Sequence, residues 1–229
     1  MFIRGLGRRA RGFGPGRNAG RLARVELSMD LGSFALTYDY RCPFARNAHE
    51  HVVAGLRAGA PWDVRFAPFS LSQAHVEEGD VPVWDDPARK PDLLAVSASL
   101  VVREERGDRF VDVHAAMFSA RHDQGRDLRD PAVVRDVLRA CDVDGDAVLA
   151  AVHDGWPVEL FRKELEAMVA EHQVFGVPTF VVGDQAAFVR LMSRPAGDGH
   201  IARVTIDRVL ALVGGVPDLN ELKHTTVPR

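Results

Sequence analysis

The most constraining feature of this sequence is a period-two segment that runs directly into a helical one. Large side chains alternate with smaller or polar ones from Phe34 to Tyr40, which is the spacing of a β-strand. The alternation stops at Arg41-Cys42, and apolar residues then recur at three- and four-residue spacing, so a helix is predicted to start at Pro43. A second period-two stretch runs from Trp62 to Phe66. Together these segments predict a βαβ unit with parallel strands and a right-handed crossover.

A block of predicted helices separates this unit from the remaining strands. Helix-period segments lie near residues 91–106, 110–122, 131–140, 144–153 and 157–172. A strand signal returns at 178–183 and at 187–191, with a turn at Gly183-Asp184, and this predicts a hairpin. An apolar stripe from Ile206 to Val213 predicts the last helix. The order predicts an α/β fold in which an all-helical insertion interrupts a core of strand, helix, strand, strand, strand, helix. The predicted parts are a disordered basic leader (1–31), the first part of the core (32–69), the helical insertion (70–173), the second part of the core (174–215) and a polar tail (216–229).

The leader differs in kind from the rest of the chain. Residues 1–24 contain seven arginines, six glycines and no acidic residue, whereas the remainder has 22 basic and 32 acidic residues. Because these residues show no apolar periodicity, they favour a disordered extension, or upstream sequence read from a start earlier than Met29, over a nucleic-acid-binding arm. No apolar segment follows Arg8-Arg9, which argues against a secretory signal and favours the cytoplasm.

Composition and residue spacing exclude several classes of function. With 46% apolar and 27% charged residues the chain can bury a core, but no stretch approaches the roughly 18 to 20 apolar residues of a membrane helix. The folded part lacks a phosphate-binding glycine motif and a basic patch with interleaved aromatics, so neither nucleotide nor nucleic acid is expected. Cys42 and Cys141 lack zinc-type neighbours, and the acidic run at 142–146 has Ala151 where a calcium loop needs glutamate. We expect no metal site and no tightly bound cofactor.

Cys42 is the residue most suited to carry chemistry. It stands at the junction of the first strand and its helix, where unpaired backbone N–H groups stabilise a thiolate and should lower the pKa of the thiol. Pro43 starts the helix without leaving a donor unpaired, and Phe44 supplies an apolar lip beside the sulfur. The alternative is a small buried cysteine that caps the core.

Two segments carry a resemblance to a known family. Tyr38-Asp39-Tyr40-Arg41-Cys42-Pro43-Phe44-Ala45 resembles the active-site segment of the DsbA-like branch of the thioredoxin superfamily, and Gly176-Val177-Pro178-Thr179-Phe180 resembles its second signature. The resemblance covers about residues 34–213 and implies a thioredoxin-like fold with an inserted all-helical subdomain. It also implies a cis Val177–Pro178 bond against Cys42, with the turn through Thr179 contacting the bound thiol or peptide. FrnE-like and 2-hydroxychromene-2-carboxylate-isomerase-like members are nearer than the exported oxidase, and residues 117–125 resemble mycothiol-dependent nitroreductase-type members.

The sequence departs from the redox members of this family at one decisive position. Those members carry a second cysteine three residues after the first, where this chain has Ala45. Without a resolving thiol, an external thiol must release the mixed disulfide. The resemblance then implies a thiol–disulfide oxidoreductase that works as a monothiol enzyme through Cys42, with mycothiol or glutathione as co-substrate. Cys141 could resolve the mixed disulfide only if the fold placed its thiol beside Cys42.

Two other functions remain open at this point. One is a thiol-dependent isomerase or reductase of small electrophiles, in which Cys42 activates a cofactor thiol. The other is a non-catalytic member of the family that binds a ligand or a peptide. In each case the partner is a small molecule or peptide, and the chain is expected to be a monomer or a homodimer.

Several side chains are candidates for contact with the substrate or thiol. Arg41 and Arg46 flank the cysteine and could lower its pKa and bind a carboxylate of the small thiol. His122 lies on the inserted helix that covers the cleft in this family, so it is a candidate ligand contact, with a helix-end cap as the alternative. His49 and His51 fall on the first helix and are expected to be structural or solvated, with His51 exposed.

Overall fold

A four-stranded sheet carries the site at the end of its first strand. The computed structural model describes residues 32–227, so the leader predicted for residues 1–31 lies outside the described residues. The sheet has the order β2-β1-β3-β4, in which β1 pairs parallel with β2 and antiparallel with β3, and β3 pairs antiparallel with β4. The strands are β1 (Ser33–Tyr38), β2 (Asp63–Pro68), β3 (Thr179–Val182) and β4 (Gln185–Phe188).

Eight α-helices surround this sheet in the described part of the chain. They are α1 (Pro43–Arg57), α2 (Leu71–Ala74), α3 (Leu94–Glu105), α4 (Gly107–His122), α5 (Pro131–Ala140), α6 (Gly145–Asp154), α7 (Trp156–His172) and α8 (Gly199–Gly215). A 3₁₀ turn at Lys90–Leu93 precedes α3. The thioredoxin-like fold with a helical insertion is therefore confirmed. None of these helices combines the length and the apolar composition needed to cross a membrane.

Two strand boundaries differ from the sequence-based expectation. The first strand ends at Tyr38 instead of Tyr40, because the Asp39 carbonyl accepts the Cys42 N–H at 3.0 Å and turns the chain. The last strand is Gln185–Phe188 instead of 187–191, because the ladder restarts directly after the Gly183-Asp184 turn, with Gln185 opposite Val182. Periodicity alone does not reveal where a turn closes.

Two glycines allow α1 to pack closely against its neighbours. A Cβ atom on Gly55 would lie 2.3 Å from the Trp62 ring, and one on Gly199 would lie 2.4 Å from the Ala58 Cβ. The Trp62 ring is itself held in place, because its Nε1–H donates to Asp207 of α8 at 3.0 Å. The end of α1, the start of β2 and α8 therefore meet without room for a methyl group.

The insertion is attached to the sheet through α3. The guanidinium of Arg103 donates to the Phe66 carbonyl of β2 at 3.1 Å and to Glu164 of α7 at 3.1 Å. Helix α4 packs against α3, α5 and α1. Helix α4 of the insertion thereby covers part of α1.

The packing around Gly55 gives a first testable prediction. Gly55→Ala should lower the free energy of unfolding by about 1–3 kcal/mol, because the new methyl group overlaps the Trp62 ring. The matched control is Gly215→Ala at the end of α8, where nothing lies within 4 Å of the added Cβ, and which should raise the stability by up to about 1 kcal/mol. Urea unfolding of both variants measures the difference, and equal effects would contradict the packing described.

Candidate active site

Cys42 caps the N-terminus of α1 beyond the end of β1. Its backbone is extended, with φ −85° and ψ 118°, and its Sγ accepts the Ala45 N–H at 3.4 Å. Pro43 occupies the first helical position, where it removes a donor that would otherwise be unpaired. The first turn of α1 contains no acidic side chain. The positive end of the helix therefore faces the sulfur, as the sequence predicts.

The second signature segment lies directly against this sulfur. The Cys42 S–H donates to the Val177 carbonyl oxygen at 3.3 Å, and the Val177–Pro178 bond is cis, the isomer that the resemblance implies. The residue Cys42 is 6% exposed. Cys42, Val177 and Pro178 thus form one site, in which the sulfur lies between a helix N–H and a loop carbonyl.

Two threonines hold the loop that carries Val177. Thr179 donates its backbone N–H to Thr37 Oγ1 at 2.8 Å and its hydroxyl to the Gly176 carbonyl at 2.8 Å. Thr179 is buried, so it fixes the loop from behind, and the contact with a bound thiol expected for it is not available in this arrangement. Thr37 is a positioning residue that sequence reasoning missed, and its only signal was a polar side chain within an apolar strand.

The pKa of Cys42 differs from the sequence-based expectation. Burial raises the pKa of the thiol above its ordinary value, the N–H groups of Ala45 and Phe44 oppose this effect, and the nearby charge of Asp39 adds to it. The expectation of a lowered pKa is wrong for this arrangement, because loss of hydration outweighs the helix N–H groups. The resting group is a thiol that donates to Val177.

Arg41 is engaged by acidic side chains and is not available to the sulfur. Its guanidinium donates to both carboxylate oxygens of Asp39, at 3.2 and 2.9 Å, and lies 3.3 Å from Asp92. It also donates to the Ser72 hydroxyl at 2.8 Å. The role expected for Arg41 as a thiol-carboxylate ligand would require these contacts to break.

Arg46 belongs to a closed ring of four charged side chains. Arg46 pairs with Glu50 at 2.8 Å and with Asp123. Arg194 pairs with the same two acids and lies 3.3 Å from Asp123. The ring joins α1, the residue after α4 and the segment before α8. Because its charges balance, Arg46 brings no free positive charge to the site, contrary to the expectation for it.

His122 lies beside the active-site segment, as predicted from the sequence. Its Nε2–H donates to the Tyr40 carbonyl at 2.8 Å, so the end of α4 is tied to the turn that precedes Cys42. Burial lowers the pKa of His122, and the charges of Arg46 and Arg121 act in the same direction. The ring is therefore neutral near pH 7, and its contact with a ligand stays a prediction.

A buried chain of hydrogen bonds runs beneath the site. The Tyr40 hydroxyl lies 2.9 Å from His114 Nδ1, His114 Nε2 lies 2.9 Å from His49 Nδ1, and His49 Nε2 lies 3.0 Å from the Thr37 carbonyl oxygen. All four residues are fully buried or 1% exposed. The chain links β1, α1 and α4, so His49 is structural.

The protons of this chain have one consistent arrangement. A carbonyl oxygen only accepts, so His49 donates from Nε2 to Thr37 and must accept at Nδ1. His114 then donates from Nε2 and accepts the Tyr40 hydroxyl at Nδ1. Burial lowers the pKa of His49 to about 4 and that of His114 well below its ordinary value. Both rings are neutral Nε2–H tautomers.

The burial of His51 differs from the sequence-based expectation. It was expected to be exposed, but it is 3% exposed and its Nδ1 lies 2.8 Å from the Asn47 carbonyl, which accepts its proton. The physical reason is that α1 packs against both α4 and α8. A helical period shows one buried face and cannot show a second covering helix.

Cys141 lies at the opposite end of α1 from Cys42. The charges that act on its thiol belong to Asp112, Asp142, Arg109 and Arg57, and burial raises its pKa. Arg57 is the last residue of α1, and a helix of 15 residues spans roughly 22 Å. Both cysteines are free, and Cys141 cannot act as the resolving thiol in this arrangement.

Aromatic side chains flank the two segments that carry Cys42 and Val177. Phe44 is partly buried against the core. Phe175, 76% exposed, has its ring centre 5.6 Å from that of Phe188, with the two rings tilted by 42°, beside the loop that carries Val177. Among residues 32–227, no three His, Cys, Asp or Glu side chains are grouped as a metal ion requires. Sequence reasoning missed the Phe175–Phe188 pair, because neither residue falls within a motif.

The histidine chain gives a second testable prediction. Because the unfolded state protonates both rings near pH 6.5 and the folded state does not, the unfolding free energy should fall as the pH drops from about 6.5 to 4. His49 alone accounts for about 3 kcal/mol of this loss at pH 4. Urea unfolding measures it, and ¹⁵N NMR should show both rings as Nε2–H tautomers at pH 6. A flat stability profile, or an Nδ1–H tautomer in either ring, would contradict the chain.

Solved structures of other proteins share this fold. The cytosolic disulfide reductase DsbM from Pseudomonas aeruginosa with GSH is 14% identical, with a TM-score of 0.54 over 79% of this chain and 100% of that one. BdbD from Bacillus subtilis is 16% identical, with a TM-score of 0.54 over 78% and 86% of the two chains. A probable DsbA oxidoreductase from Streptomyces coelicolor is 16% identical, with a TM-score of 0.52 over 84% and 94%. At these identities the likeness concerns the fold.

The sequence itself matches a family model. No curated protein sequence matches the chain. The model of the DSBA-like thioredoxin domain, however, matches residues 36–193, which include Cys42, the whole helical insertion and the cis turn at Val177–Pro178. The chain therefore belongs to the DsbA-like family of thioredoxin-fold thiol–disulfide oxidoreductases.

Proposed function

We propose that the protein is a monothiol thiol–disulfide oxidoreductase of the cytoplasm, in which Cys42 is the only nucleophilic sulfur and a low-molecular-weight thiol completes the cycle. The observation that carries the proposal is the position of the Cys42 Sγ between the Ala45 N–H and the Val177 carbonyl, with the methyl group of Ala45 where a second thiol would stand. Ala45 is fully buried, and Cys141 lies at the far end of α1.

The first step is attack on a disulfide. The Cys42 thiol loses its proton to solvent, and its thiolate attacks one sulfur of a small disulfide RS–SR. A bond forms between Cys42 and one RS group, the RS–SR bond breaks, and the other group leaves as RS⁻ and takes up a proton. Loss of the Cys42 proton also ends the hydrogen bond to Val177, which is one reason why the resting thiol is weakly acidic.

The second step needs a thiol from outside the protein. A small thiol R′SH, deprotonated, attacks the mixed disulfide, so that the bond to Cys42 breaks and RS–SR′ forms. The leaving Cys42 thiolate is stabilised by the Ala45 N–H at the helix N-terminus. The two steps together convert RS–SR and R′SH into RS–SR′ and RSH, and Cys42 returns to its starting state. A second R′SH acting on RS–SR′ by the same exchange releases the other RSH and leaves R′S–SR′, which completes the reduction. Glutathione or mycothiol would serve as R′SH.

Two features support the small thiol and the compartment. The two cysteines lie at opposite ends of α1 and are free. Free cysteines are usual in proteins of a reducing compartment. The fold neighbour DsbM is a cytosolic disulfide reductase whose structure contains GSH.

A second candidate function rests on the raised pKa. A Cys42 that stays protonated and donates to Val177 also fits a thiol-dependent isomerase or reductase of small electrophiles, in which the small thiol attacks the substrate and Cys42 only binds it. No mixed disulfide with Cys42 forms in that reaction. Trapping of the mixed disulfide therefore separates the two functions.

The experiment compares the wild type with Cys42→Ser and Cys141→Ser. With glutathione disulfide, intact-mass analysis should show one added glutathione in the wild type and in Cys141→Ser, and none in Cys42→Ser. Disulfide reduction should fall at least about 100-fold in Cys42→Ser and stay near the wild-type rate in Cys141→Ser. Because the Cys42 pKa is raised, the rate should still be rising above pH 8.5. Turnover by Cys42→Ser, or an adduct on Cys141 alone, would contradict the proposal.

A further inference from the structure

Three arginines surround the Cys42 segment, and they differ in their partners. Arg41 is paired with Asp39, and Arg46 is paired with Glu50. Arg190 is exposed and makes no ion pair with an acid within residues 32–227, and its guanidinium carbon lies 5.1 Å from the centre of the Phe44 ring. Of these three arginines, only Arg190 carries a charge that no acid among residues 32–227 neutralises.

The backbone on both sides of Arg190 is tethered to the site. The Val189 N–H donates to the Pro178 carbonyl at 3.1 Å, which attaches the segment to the cis turn. The side chain of Asn47, in the first half of α1, donates to the Leu191 carbonyl at 2.8 Å. These two hydrogen bonds fix the residues directly before and after Arg190. Arg190 is therefore held between the cis turn at Val177–Pro178 and α1, the two elements that contact the Cys42 sulfur.

The charges around Arg190 favour an anion. The first turn of α1 has no acidic side chain, and its N–H groups end at Cys42. The acid whose charge acts on the Cys42 thiol, Asp39, is 3% exposed and is neutralised by Arg41. A guanidinium offers two parallel donors, which match a carboxylate. The Phe44 ring lies beneath the guanidinium carbon in a cation–π contact, which uses none of the N–H donors that such a ligand would need.

We propose that Arg190 binds a carboxylate of the small disulfide as its sulfur reaches Cys42, so that the site selects disulfides that carry negative charge, as glutathione disulfide does. This assignment rests on the function proposed above and adds the substrate class to it. Arg190 takes the role that sequence reasoning gave to Arg41 and Arg46. It contributes binding and orientation, while the exchange of bonds remains that of Cys42.

The experiment measures the rate of mixed-disulfide formation on Cys42 with three disulfides of different charge. Glutathione disulfide is anionic, hydroxyethyl disulfide is neutral and cystamine is cationic. All proteins carry Cys141→Ser, so that only Cys42 reacts. Arg190→Gln should slow the reaction with glutathione disulfide roughly five- to tenfold and change that with hydroxyethyl disulfide less than about twofold. Arg190→Lys should recover part of the loss, and added salt should slow the reaction of the parent with glutathione disulfide alone.

The matched control removes an equal charge elsewhere. Arg208 is exposed on α8, next to Asp207, which bonds Trp62 just before β2 starts. The start of β2 pairs with the start of β1, at the opposite end of the sheet from Cys42. Arg208→Gln should leave all three rates unchanged. Two results for Arg190→Gln would overturn the assignment. One is equal slowing with all three disulfides, and the other is an unchanged rate with glutathione disulfide.

A separate arm distinguishes failure of the assignment from failure of the proposed function. Alkylation of Cys42 by anionic iodoacetate and neutral iodoacetamide requires no disulfide chemistry. The ratio of the two rates should fall several-fold in Arg190→Gln and stay constant in Arg208→Gln. If no disulfide reacts with Cys42 but this ratio falls, the monothiol function is wrong and the anion preference stands. If disulfides react and the ratio is unchanged, Arg190 does not select charge.

Discussion

The Thr37 carbonyl oxygen fixes the arrangement on which the site depends. It accepts the first proton of the chain through His49 and His114 to Tyr40, and this chain joins β1, α1 and α4. The side chain of the same threonine holds Thr179, and so the loop whose Val177 carbonyl meets the Cys42 thiol. One strand residue therefore sets both the core beneath the sulfur and the loop above it. A buried network of this kind holds only when each donor has its acceptor.

The burial of Cys42 explains the chemistry expected of its thiol. Loss of hydration raises its pKa, and the two flanking arginines that could have offset this are paired with acids. What remains at the sulfur is the support of the helix N–H groups, and Arg190 lies over Phe44 without an acid among residues 32–227 to neutralise it. The proposed chemistry fits such a site, because the second thiol comes from outside the protein and the negative charge comes with the disulfide. In the proposed function, Ala45 in place of a second cysteine makes an external thiol necessary, and the free charge of Arg190 selects the disulfide.

Local motifs were predictable from the sequence, and tertiary partners were not. The strand, Cys42 and Pro43 follow one another in the chain, so the capped helix start could be derived from spacing, and the cis turn at Val177–Pro178 followed from its resemblance. The pairing of Arg46 with Asp123 and the burial of His51 depend on α4 and α8, which are far away in sequence. The raised pKa of Cys42 reflects its burial, to which the equally distant loop of Val177 contributes. Arg190 lies outside every motif, and only the hydrogen bonds on both sides of it place it at the site.

The most direct test of the monothiol account is the decay of the isolated Cys42–glutathione mixed disulfide as a function of added thiol. The account predicts that the decay rate is proportional to the thiol concentration and extrapolates to zero without thiol. Ala45→Cys is the comparator: it places a resolving thiol in the next turn and should decay at a finite rate with no thiol added. A wild-type mixed disulfide that decays equally fast without external thiol would contradict the account, because an internal group would then resolve it.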